Sequence, residues 1–242
     1  MPPLLLLILC CAALTAVALL AALPSFLARK APGTGRLAEY GDQFAMGVFI
    51  ATGLVHMLPH AAHDLADIHP GFPLAFAIAA ATLLALLLLS QFGQRHQSRT
   101  GLPIIATLVL VVHSLLEGAV LGATLGTLAL LTLTAALFAH KGMAAFALSR
   151  LLIESPLSRR SALLLHGAFV VSLPLGAAIG ESVLHHPGWE IASPIVMALG
   201  AGTFIYLGTA HIVANLHAGH LRSGLIAPVI GFLAMTALSA IA

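Results

Sequence analysis

Val112-His113-Ser114-Leu115-Leu116-Glu117-Gly118 lies inside a run, Leu102 to Leu121, that holds no other ionisable group. An α-helix needs about 20 predominantly apolar residues to cross the hydrocarbon core of a bilayer, so this run predicts a membrane helix. His113 and Glu117 are four residues apart, which puts both side chains on one helix face, about 6 Å apart along the axis. A carboxylate at mid-membrane depth is costly and is normally paired, liganded or functional. One divalent cation held by nitrogen and oxygen would satisfy both groups. A buried His–Glu hydrogen bond that only locks two helices together would satisfy them as well.

The rest of the chain has the same character. It has 242 residues, 60% hydrophobic and 7% charged, where soluble domains carry about 25% charged residues. Eight apolar segments are expected, roughly at 4–27, 43–65, 72–92, 102–123, 127–150, 161–184, 191–216 and 222–241. The connections are short, and no internal repeat or soluble insertion interrupts them. The fold class is therefore an all-α membrane protein with eight transmembrane helices, read as one domain over 1–242. The net charge of +2 does not suggest a nucleic-acid partner.

The basic residues give the orientation. Arg29, Lys30 and Arg36 fall in the first connection, Arg95 and Arg99 in the third, Arg150, Arg159 and Arg160 in the fifth, and Arg222 in the seventh. The second, fourth and sixth connections have none. Positive residues stay on the cytoplasmic side, so the odd connections are expected inside and both termini outside, extracellular or periplasmic. The first segment lacks a positive leader and is followed by the positives, so it is read as a retained helix rather than a signal peptide. Localisation is thus multi-pass in a plasma membrane, or the inner membrane of a bacterium.

Further polar groups interrupt the apolar segments. Segment five carries Ala139-His140-Lys141-Gly142-Met143-Ala144. Segments four and five are antiparallel neighbours with a very short connection, which can bring His113, Glu117 and His140 to one depth. Two nitrogens and one carboxylate favour zinc or iron over calcium and magnesium, which prefer oxygen. Lys141 would be costly alone; Glu117 is its expected counter-ion, and the ammonium can stand where a second metal would sit. Ser114 either ligates or bonds its own helix backbone.

In segment two, His56, His60 and His63 follow i, i+4, i+7 and form one stripe, with Asp64, Asp67 and His69 continuing outward. His56 and His60 are candidates for a metal entrance, although a polar helix end at an interface would look alike. His211 in segment seven is a candidate exit, with His217 and His220 near the membrane surface. His166, and an outer group of Glu181, His185, His186 and Glu190, carry no decided role. Cys10 and Cys11 are adjacent in an apolar run and do not read as a disulfide or zinc knuckle. Gly118, Gly122 and Gly126, Gly176 and Gly180, and Gly200, Gly202 and Gly208 have spacings at which membrane helices approach closely. Pro174 can kink segment six.

These residues together resemble the ZIP (Zrt/Irt-like) family of metal transporters over nearly the whole length. The similarity is carried by His113-Ser114-x-x-Glu117-Gly118 in segment four and His140-Lys141-Gly142 in segment five. Gly47-Val48-Phe49 with His56, and Ala201-Gly202-Thr203-Phe204-Ile205-Tyr206, add to it. The resemblance implies a two-bundle fold, a metal path between segments two, four, five and seven, binding by His113, Glu117 and His140, and uptake of zinc or a similar ion into the cytoplasm. The His-Lys form of segment five is similar to one subfamily. Many relatives have an acid where Lys141 stands and a glutamate where Ala144 stands, so one metal site is expected rather than two. Where relatives often carry a long His-rich loop, this chain has about Gln91–Gly101, and no loop-based metal sensor is expected.

The reading is thus a transporter and not an enzyme, with no permanently bound cofactor. Its cargo is zinc first, with iron, manganese or cadmium also compatible. Its partners are the divalent ion and the lipid bilayer, and a homodimer is compatible with the same reading. Three alternatives remain. An intramembrane zinc protease would want His-Glu-x-x-His, which is absent. A haem- or proton-handling protein could use paired histidines, and an exporter could use the same site in reverse.

Overall fold

The computed structural model describes residues 3–27, 36–68, 70–95, 101–183, 189–217 and 226–240. Every regular element among them is helical: α1 (Pro3–Leu27), α2 (Arg36–Ala51), a π-helical turn (Thr52–Met57), α3 (Leu58–Ile68), α4 (Leu74–Arg95), α5 (Gly101–Ala123), α6 (Thr127–Glu154), α7 (Arg159–Val183), α8 (Trp189–His217) and α9 (Ile226–Ser239). α2, the π turn and α3 follow one another without a break and make up the second expected segment. Seven rods among the described residues are long and apolar enough to cross a membrane. The eighth, α9, has 14 described residues, about 21 Å of helix. The chain is a multi-pass integral membrane protein.

The helices group into two compact units that are not contiguous in sequence. α1, α5, α6 and α7 make the first; α2 to α4 with α8 and α9 make the second.

In the first unit the closest pairings are α5 with α7 and α1 with α6. Small residues permit the former. A Cβ on Gly118 or Gly122 would run into the carbonyls of Leu173 and Ala177, and one on Gly176 or Gly180 into those of Leu115 and Ala119. Residue numbers rise together along both helices, so α5 and α7 run parallel, as the charge pattern requires. Without a hydrophobic drive between helices in lipid, such close backbone contact is what holds them together. A cluster of Leu7, Cys10 and Leu14 of α1, Leu130 and Leu137 of α6, Leu121, Leu173 and Ala177 fills the unit. Cys10 and Cys11 are free thiols, and Cys10 packs there as a small apolar side chain.

The ends are tied by side chains. The Arg159 guanidinium donates to the carbonyl of Phe26 at 2.6 Å, satisfying one of the carbonyls left open at the C-terminus of α1. Ser149 Oγ donates to Ser25 Oγ at 2.9 Å, joining α6 to α1. Ser158 Oγ accepts from the Ser161 N–H at 3.1 Å, the N-cap contact that starts α7. Gly126 was expected to be a helix-contact glycine. It instead makes the turn between α5 and α6 at φ +91, a conformation other residues adopt only with strain.

In the second unit α2 pairs most closely with α9. Gly47 faces the backbone of Pro228 and Phe232, and Gly231 that of Phe44. A Cβ on Gly53 would lie 2.9 Å from the Ala201 carbonyl, and one on Gly202 would lie 2.7 Å from Thr82 Cβ. Phe49 and Phe204 pack with ring centroids 5.6 Å apart, so the motif residues of the second and seventh expected segments meet as core contacts. The π turn is the departure from expectation. The Leu58 N–H bonds back to the Gly53 carbonyl, five residues earlier, so one extra residue is accommodated in the rod. Such insertions are frequent at functional sites, and this one contains His56.

Candidate metal centre

His113 and Glu117 project from α5 one helical turn apart, and His140 from α6. α5 and α6 are antiparallel neighbours joined across Thr124, Leu125 and Gly126, and this short connection sets the two helices in register. All three residues are buried, at 3%, 7% and 2% exposure. Their ligand atoms lie within 4.8 Å of one another, and they are the one group of three or more candidate ligands found among the described residues. His113 Nε2 lies 2.7 Å from Glu117 Oε1 and His140 Nε2 lies 2.6 Å from the same oxygen. A carboxylate oxygen only accepts, so each imidazole donates through Nε2 to this shared atom.

The two nitrogen–oxygen separations are shorter than those around a bound metal ion. Zinc–nitrogen and zinc–oxygen bonds of about 2.0–2.2 Å at tetrahedral angles put ligand atoms about 3.3 Å apart. The two nitrogen–oxygen pairs therefore need to open by about 0.6 Å to admit an ion. Each imidazole must also move its Nε2 hydrogen to Nδ1 or release it, because a metal needs the bare nitrogen. Three donors leave a position for water or one more ligand, as in sites that exchange what they hold.

Lys141 is 2% exposed, and its ammonium belongs to this centre. Its Nζ stands 3.5 Å from Glu117 Oε2, donates to Ser114 Oγ, and lies 4.4 Å from the centroid of the Phe169 ring. One carboxylate thus serves two directions: Oε1 faces the imidazoles and Oε2 faces the ammonium. Of the two roles expected for Ser114, the bond to its own helix backbone is not the one made. Its hydroxyl donates across to the Phe169 carbonyl of α7 at 3.4 Å and accepts from Lys141. Phe169 gave no sequence signal beyond being one aromatic ring in an apolar helix, and its place beside Lys141 depends on α7 lying against α5.

The other expected site residues fall elsewhere. In the second unit, His56 is half-buried and His60 exposed, and their rings meet edge to face at 5.3 Å. His63 and Asp64 are exposed. His166 of α7 is buried in the first unit, with its ring 5.4 Å from Phe26 and 5.9 Å from Phe169. Glu181 is exposed. The side chains of Asp67, His69, His185, His186, Glu190, His211, His217 and His220 lie outside the described residues.

The chain is similar to several known proteins. The chain is 27% identical over 214 residues to zinc transporter 11 of Arabidopsis thaliana, a match covering 72% of this chain and 65% of the plant protein. It is 33% identical over 162 residues to zinc transporter ZIP9 of Micropogonias undulatus, covering 57% of this chain and 51% of the fish protein. It is 24% identical over 223 residues to zinc transporter ZIP1 of Danio rerio, covering 71% and 74% of the two. The chain thus spans about half to two thirds of the first two relatives. Residues 94–239 match the family described as ZIP Zinc transporter. That stretch contains every residue of the buried centre, from His113 through Lys141 to Phe169, and the chain belongs to this ZIP zinc transporter family.

Proposed function

We propose that the chain carries a divalent transition metal, zinc before iron, manganese or cadmium, across the membrane into the cytoplasm. The observation that supports this most is the buried His113–Glu117–His140 cluster. Buried ionisable groups in a membrane segment are expensive and mark ion pathways, and two nitrogens with one carboxylate suit zinc or iron. The names of the relatives point to the same cargo.

In this reading the ion is offered first to His56 and His60, sheds water onto His113, Glu117 and His140, and leaves past His211. Only one ion is held at the centre, because the Lys141 ammonium occupies the side of Glu117 that a second ion would need. Three protein ligands, one of them shared with a fixed cation, keep affinity modest, as release demands. The family resemblance supports the inward direction.

The test is zinc uptake into proteoliposomes, with and without a pH gradient, for the wild type and for His113→Ala and His140→Ala. Both variants are expected to lose uptake by at least about ten-fold, the scale of losing a ligand or its orientation. Wild-type rates in folded variants overturn the assignment. The same vesicles loaded with zinc distinguish import from export, and competition with iron, manganese and cadmium ranks the cargo.

A further inference from the structure

Phe169 is buried among polar neighbours in the first unit. Its ring is 1% exposed. Its carbonyl accepts from Ser172 Oγ at 2.7 Å and from Ser114 Oγ at 3.4 Å, and the His166 ring flanks it at 5.9 Å. Its face is turned to the Lys141 ammonium at 4.4 Å.

The ammonium is held between competing partners. Unrestrained charge-assisted N–O contacts close to about 2.7–2.9 Å, yet Lys141 Nζ stands 3.5 Å from Glu117 Oε2. The lysine stem is flexible enough to close that gap. Ser114 Oγ and the negative face of Phe169 take up the ammonium instead, and a desolvated cation–π contact is strong enough to compete.

We propose that Phe169 is a positioning residue: its aromatic face holds the Lys141 ammonium off Glu117 and so sets how strongly this fixed cation competes with the transported dication for the carboxylate. The inference rests on His113, Glu117 and His140 being the transport site. Closing from 3.5 Å to about 2.8 Å would strengthen the Coulomb attraction by about a quarter, and in a buried site an incoming ion must overcome that increment. Phe169 thereby sets the concentration range over which the transporter works, without touching the ion.

The test is calorimetric titration of the purified protein with Zn2+, paired with Zn2+ uptake by proteoliposomes over a range of concentrations. Phe169→Leu is expected to weaken binding and raise KM about ten-fold, equivalent to about 1.4 kcal/mol, with the maximal rate unchanged or raised. Phe169→Trp, which keeps a strong π face, is expected to stay near wild type. In a Lys141→Gln background the Phe169→Leu effect should vanish. Replacing Phe169 by its pentafluoro analogue keeps the shape and removes the negative face, so it gives the same reading if Phe169→Leu does not fold.

An unchanged KM in Phe169→Leu or in the fluorinated protein overturns the proposal, as does an equal loss with and without Lys141. His113→Ala, titrated alongside, separates the two readings. If it binds Zn2+ like the wild type, the site assignment fails; if it loses binding while the Phe169 series stays flat, only the role of Phe169 fails.

Discussion

Glu117→Gln keeps the shape of the side chain and removes the carboxylate that faces Lys141. The two groups are 5% and 2% exposed and 3.5 Å apart. With an effective dielectric constant of about 20, that separation corresponds to an attraction of about 5 kcal/mol. The glutamine amide returns about 1 kcal/mol as a neutral hydrogen bond, and Ser114 and Phe169 remain. The expected net loss is therefore about 3–5 kcal/mol, the range found when one partner of a buried ion pair is removed. At about 3 °C per kcal/mol for a chain of this size, the melting temperature should fall by about 9–15 °C in detergent, followed by calorimetry or circular dichroism. Lys141→Met alone should be milder, because Glu117 keeps its two imidazole donors at 2.7 and 2.6 Å. Adding Lys141→Met to Glu117→Gln should restore most of the lost stability while zinc binding stays absent. Glu117→Gln melting within about 2 °C of wild type, or no recovery in the double variant, refutes the account of Glu117 as shared between a fixed and a mobile cation.

Other expectations test the scaffold. Gly122→Ala and Gly180→Ala each drive a methyl into the backbone of the facing helix and should each destabilise by about 1–3 kcal/mol. Gly167→Ala, where a Cβ meets nothing within 4 Å, should be neutral or stabilising in the same melts. Arg159→Ala removes the donor to the Phe26 carbonyl and should cost about 1.5–3 kcal/mol, read as faster hydrogen exchange in the last turn of α1. For orientation, cysteines placed at Phe72 and at Arg99, in a Cys10→Ala, Cys11→Ala background, are probed on intact cells with an impermeant maleimide. Phe72→Cys should label at once and Arg99→Cys only after permeabilisation; the opposite pattern inverts the topology.

The membrane segments and the trio His113, Glu117 and His140 are legible because local patterning decides them. A run of about 20 apolar residues has few alternatives, and helical periodicity fixes which side chains share a face. A short connection then forces neighbouring helices into register. What depends on partners distant in sequence was not legible. The Ser114–Phe169 contact spans 55 residues, and nothing near Ser114 indicates that α7 supplies the acceptor. Spacing marked Gly118, Gly122, Gly176 and Gly180 as contact residues, but the pairing of α5 with α7 comes from the three-dimensional packing. Gly126 had the same spacing and serves as a turn, because it falls just past the helix end. The π turn at Thr52–Met57 breaks the uniform helical register on which the His56–His60–His63 stripe rested, and apolar patterning carries no signal for one inserted residue.

The first unit is built from two close pairs, α5 with α7 and α1 with α6, while α5 meets α6 much less extensively. His113 and Glu117 belong to the first pair and His140 to the second. An ion held by all three would therefore act as a removable cross-link between two preassembled halves. Loading would stiffen the unit and unloading would let the halves breathe, so occupancy would be felt at the far ends of these helices as a change in compliance, with no need for any residue there to contact the ion.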